Sequence, residues 1–211
     1  MQKNTEIPPG WKLPEDIIRR LGSKAGRQRV IAESDHVLIV LHKMPSKDQN
    51  HRESLFLWRD SAAKWSASER GAGLSALGDY LNDYSKNIEA IDDRYDKAAK
   101  AKDFFELLEI IAPIKRALKN TSNTLQSARE LLGEEFIDYR DKTEELYRSV
   151  ELLYVDSKNG LDYAIAKRTE EQAEIQQLKE MRLEGRFVHF TSDNPLPDFW
   201  IKSLNFTMRL P

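Results

Sequence analysis

The side chains able to do chemistry are few and scattered in this sequence. Four histidines, His36, His42, His51 and His189, stand apart, and none has a second histidine at helical metal-ligand spacing. They read as turn and strand-end residues. Asp92, Asp93 and Asp96 form an acidic group whose oxygens suit a hard divalent cation such as Mg2+, but Arg94 and Lys97 interleave it, which favours a solvated helix face. Asp156, Lys158, Asn159 and Asp162 form a compact polar group in a helical stretch. Such a group in a seam sets register or contacts an ion or a partner, and Ser157, Gly160 and Ala164 beside it are small enough for another helix to approach closely. There is no G-x-x-x-x-G-K-[ST], no G-x-S-x-G and no visible set of nucleophile, base and oxyanion donors. Cysteine is absent, which removes disulfides, thiolate zinc sites and thiol catalysis together. These residues predict a protein that is not an enzyme.

Charge and hydropathy narrow the partners. Lys and Arg number 33 against 35 Asp and Glu in 211 residues, and no basic stripe stands ready to neutralise phosphates, so no nucleic-acid partner is expected. No apolar run reaches the roughly 18 residues that a membrane span needs, and the first ten residues lack the apolar core of a signal peptide. The expectation is a soluble chain without a transmembrane span.

The elements that must position these groups fall into two regimes. Residues 1–10 read as a flexible arm. Trp11 and Leu13 lead into a short helix beginning at Pro14 and stopped by Gly22. Runs at 27–32, 37–41, 55–58 and 64–66 suit strands, with a tight turn at Ser34, Asp35 and His36 and another at Asp60 and Ser61. Residues 11–68 are therefore a small, mostly antiparallel β-rich module. From Ala72 the apolar period becomes three and a half: Leu74, Leu77, Leu81, Tyr84, Ile88 and Ile91, then Tyr95 and Ala98, form a coiled-coil seam on a helix reaching about Lys100. A second helix carries its own heptad from Phe104 to Leu132, with Pro113 inside it expected to kink or split it. A third starts near Glu134 and reaches about Leu183, roughly 75 Å if straight. Short connections at Ala101 and Gly133 fold the three back on one another. The fold class is α+β, predominantly α: a small antiparallel sheet module followed by a long three-helix antiparallel coiled coil over residues 72–184, then an irregular apolar tail at 185–211 with a short strand.

The run from Asp103 to Leu108, Ile111-Ala112-Pro113, Arg116 to Asn120 and Thr124 to Arg129, then Tyr139-Arg140-Asp141, Glu151 to Leu153 and Asp156 to Tyr163, resembles the cytoplasmic part of bacterial CorA-like divalent-cation transporter proteins. The resemblance covers about Leu21 to Gln172. It implies an α/β domain followed by a long helix that descends into a membrane as the pore, pentameric assembly, and a cytoplasmic location, with membrane association through a partner. The sequence departs from that pattern after Glu174, where neither an apolar span nor a Gly-Met-Asn signature follows. Two functional expectations result. The first is a non-enzymatic helical protein acting through a homo-oligomer or through a full-length CorA-like relative, its interface on the exposed apolar positions of the third helix. The second is the Mg2+-sensing regulatory part of a cation transporter whose pore segment is absent here.

Overall fold

A computed structural model describes residues 7–22, 26–45, 53–69 and 73–193, with side chains to residue 183. In chain order the elements are α1 (Glu15–Leu21), β1 (Arg29–Glu33), β2 (His36–His42), β3 (Ser54–Arg59), β4 (Trp65–Ala67), α2 (Ser75–Tyr95), α3 (Ala101–Leu132), a 3-10 turn (Glu134–Phe136) and α4 (Ile137–Asp193). The four strands form one antiparallel meander in the order β1-β2-β3-β4. Glu33 pairs with His36, so the first hairpin loop is Ser34-Asp35 alone, and His36 belongs to the strand rather than to the turn. In the next turn Asp60 Oδ1 accepts from the amides of Ala62 and Lys64 at 3.0 and 2.9 Å, mimicking a backbone turn.

β2 is a nearly continuous apolar run because both faces of the sheet are covered. Leu38, Val40 and Phe56 join Leu13, Ile17, Leu21 and Ile31 in a core beneath α1. Ile39, Leu41 and Leu57, pointing the other way by strand alternation, are equally buried, and α3 packs against β1 and β2. Gly73 joins sheet to helices in the left-handed region (φ +68°), where a Cβ would lie 3.0 Å from that of Trp65. Glycine meets both demands.

The helical region is an antiparallel bundle, as the heptads predict. Tyr80 meets Thr121 while Tyr95 meets Phe104, so α2 and α3 run in opposite directions. Ser122 meets Glu144, Lys115 meets Glu151, and Phe104 lies at Gly160, so α3 and α4 do too. Leu77, Leu81, Tyr84, Ile88 and Ile91 are buried, with Leu74 half-buried just before the helix.

Three boundaries differ from the expectation. α2 ends at Tyr95 rather than near Lys100, because the Asp103 carboxylate accepts from the amides of Ala99 and Lys100 at 3.2 and 2.9 Å and starts α3 there. Pro113 does not split α3, which runs unbroken through it; the stripe Ile111, Ile114, Ala117 and Leu118 is buried on both sides of the proline and offsets the roughly 3 kcal/mol that an internal proline costs. Residues 185–193, expected to open the irregular tail, continue α4, since a single glycine at 185 costs a helix only about 1 kcal/mol. Residues 194–211, with the expected short strand, lie outside the described residues, as does His51.

The chain divides into two units, residues 1–161 and 162–211. In the first, α4 buries Leu146, Val150, Leu153 and Ser157. In the second, every described side chain is exposed except half-buried Ala164.

Candidate functional site

The acidic group closes α2. Asp92 and Asp93 lie in its last turn and Asp96 just beyond it, all three exposed. Consecutive helical residues point about 100° apart, so Asp92 and Asp93 diverge, and Arg94 reaches toward Glu106 at 4.0 Å. Among the described residues no set of three or more histidine, cysteine or acidic side chains is placed to hold a metal ion.

The second polar group sits one position off the seam. The buried stripe on α4 runs Leu146, Val150, Leu153, Ser157, which leaves Asp156 half-buried and Lys158, Asn159 and Asp162 exposed. The close helix contact is at Gly160, where a Cβ would lie 2.5 Å from Phe104 Cε1. Ser157, rather than the four charged and amide groups, carries the buried polar atom, and its hydroxyl has no hydrogen-bond partner.

A buried network unanticipated from the sequence ties the helices to the sheet. Tyr80 donates to the His42 carbonyl at 2.8 Å, and its oxygen lies 3.1 Å from Thr121 Oγ1. Thr121 donates to Gln28 Oε1 at 2.8 Å, while Gln28 Nε2 donates to the Ala117 carbonyl at 3.1 Å. Burial pushes the Tyr80 phenol up to about 12, so it stays a neutral donor. His42 is buried, with Nε2 2.7 Å from the Gly26 carbonyl; His36 stacks on Trp58 and lies 3.3 Å from its indole nitrogen. Both are structural partners at strand ends, as their positions suggested. One sequence signal existed: Thr121, a hydroxyl in an otherwise apolar heptad.

Among the described residues, most of the exposed large apolar side chains are on α4. Leu152 and Val155, one turn apart, face away from the buried stripe, with Leu152 66% exposed. In the second unit Tyr163 is 70% exposed, and Ile165, Ile175, Leu178, Met181 and Leu183 are exposed as well.

Neither a protein-family model nor a curated protein sequence matches the chain. Its fold matches solved structures. The ZntB cytoplasmic domain from Vibrio parahaemolyticus superposes with a TM-score of 0.61 at 10% identity, over 75% of this chain and 80% of that one. Full-length CmaX superposes with a TM-score of 0.69 at 14% identity, over 94% of this chain and 79% of its own. The chain shares its fold with the ZntB cytoplasmic domain and with CmaX. That fold accounts for the sheet followed by the long helices, and no helix among the described residues is long and apolar enough to cross a membrane.

Proposed function

We propose that this chain is a non-enzymatic, cytoplasmic helical protein that works by association, with a second copy of itself or with a CorA-like relative in a divalent-cation transport assembly. The observation that carries the reading is the exposed apolar set on α4. Ile175, Leu178, Met181 and Leu183 are aliphatic side chains on a stretch otherwise made of Lys, Arg, Glu and Gln, and helices in proteins gain most of their stability from packing an apolar face. A partner helix supplies that packing. Light scattering on the purified chain over a range of concentrations tests the idea: a mass above one chain is expected, and Ile175→Asp with Leu178→Asp should lower it. A strict monomer at high concentration, with no CorA-like relative captured, overturns the reading.

The likeness to the ZntB cytoplasmic domain favours a second reading, the Mg2+-sensing regulatory part of a membrane cation transporter. A ligand of the folded state must stabilise it, so an unchanged thermal midpoint at millimolar Mg2+ removes sensing by the isolated chain.

A further inference from the structure

The charged side chains of the second unit are sorted by side. At about 100° per helical residue, Arg168, Ile175, Lys179 and Arg182 fall within about 60° of one another on one side of α4, and Glu170, Glu174, Gln177 and Met181 fall within about 60° on the opposite side. All of these side chains are exposed. Lys167 and Glu171 lie on one flank between the two sides, Asp162 and Glu180 on the other.

Neither side is satisfied within the chain. In the first stretch of α4 opposite charges stand three or four residues apart and pair, Lys142 with Glu145 at 3.0 Å and Arg148 with Glu144 at 3.6 Å. In the second unit the same spacings bring like charges together, Glu170 with Glu174 and Lys179 with Arg182, which destabilises a helix standing alone. Among the described residues no ion pair involves a side chain of 162–183, and Glu180 alone of its carboxylates has a hydrogen-bond donor, Gln176 at 2.8 Å. Each side also carries an exposed apolar side chain, Ile175 on the basic one and Met181 on the acidic one. The partner of the basic side must be acidic with an apolar centre, and the partner of the acidic side must be basic with an apolar centre. A second copy of this helix offers both. An anionic membrane surface or a nucleic acid complements the basic side alone and leaves Glu170 and Glu174 without a counterpart.

We propose that α4 of one copy lays the side bearing Arg168, Lys179 and Arg182 against the side bearing Glu170 and Glu174 of the next copy, a contact between unlike faces rather than a two-fold contact between like ones. This contact is the association proposed for the chain, made specific as to partner and faces, and it rests on that reading. Because a pair so joined still presents one free face of each kind, assembly continues past two chains until a ring closes or a filament grows. Light scattering of the full chain with charge reversal is the test. Arg168→Glu/Lys179→Glu/Arg182→Glu and Glu170→Lys/Glu174→Lys should each weaken self-association by about tenfold or more. An equal mixture of the two should restore it, since each reversed chain then complements the other. Raising the salt from about 0.05 to about 0.5 M, where screening acts within a few ångströms, should lower the wild-type mass as well. Matching thermal melts establish that the variants are folded. A mass that stops at two chains, an acidic-side variant that assembles as the wild type does, or a mixture no better than its parts overturns the unlike-face contact while leaving association itself standing; a strict monomer overturns both.

Discussion

Between Ile137 and Leu161, α4 lays Leu146, Val150, Leu153 and Ser157 into the bundle, whereas between Asp162 and Leu183 its Ile165, Ile175, Leu178, Met181 and Leu183 all remain exposed. The two stretches share one helix and a similar spacing of apolar residues. Continuing the buried stripe by threes and fours leads through Gly160 and Ala164 to Arg168 and Glu171, and only then to Ile175 and Leu178. Periodicity therefore identifies the face of a helix that wants a partner. It does not say whether the same chain provides one.

Truncating the same residue type in the two stretches should separate them most widely. Leu153 is 7% exposed and Leu178 is 62% exposed. Leu153→Ala removes packed methyl groups from between helices and should cost about 2–5 kcal/mol in urea unfolding. Leu178→Ala in the single chain should stay within about 0.5 kcal/mol. If the second loss instead grows with protein concentration, α4 is packed by a second copy at that position, which sharpens the contrast into an intermolecular one.

A smaller effect is expected at Gly160. A side-chain carbon there would lie 2.5, 2.7 and 2.8 Å from three atoms of the Phe104 ring, and that ring in turn packs edge-on against Tyr95. Gly160→Val should therefore destabilise by about 1–3 kcal/mol through overpacking, with Phe104→Leu in the same background recovering part of the loss. Ala173→Val, on the exposed stretch, should change the unfolding free energy by less than about 0.5 kcal/mol. Equal costs at the two positions would break the distinction between them.

What was legible beforehand follows the same division. The seams of α2 and α3 could be read because each apolar residue recurs at a spacing that only a helix turns into one face, and the strands because alternation and turn residues agree. Positions set by distant partners could not. Gln28 is satisfied by Ala117 and Thr121, whose place beside β1 is fixed only once α3 crosses the sheet. The end of α2 is set by Asp103 of the next helix. On α4 it is Ser157 that enters the core while Lys158 and Asn159 stay exposed, a choice fixed by where α3 packs against the helix.

The smallest effect concerns the charges that staple the first stretch of α4 to α3. Lys115 Nζ lies 3.0 Å from Glu151 and 4.8 Å from the centre of the Tyr154 ring. Its hydrogen bond holds the Glu151 carboxyl below the ordinary value, with Tyr147 adding a second bond at 3.2 Å. Asp103 is lowered too, through the amides of Lys100 and Ala99. Both groups have folded-state pKa values below their unfolded ones. Their contribution to stability is therefore present above the unfolded carboxylate pKa and is lost as pH falls through the folded one. Both sites are open to water, so each contribution is screened and modest. Thermal midpoints of wild type and Glu151→Gln should differ slightly at neutral pH, the wild type being the more stable, and should converge once the medium is acidic enough to protonate Glu151 in the folded protein. A gap that persists unchanged into acid would mean that Glu151 holds the helices by packing its methylenes rather than by its charge.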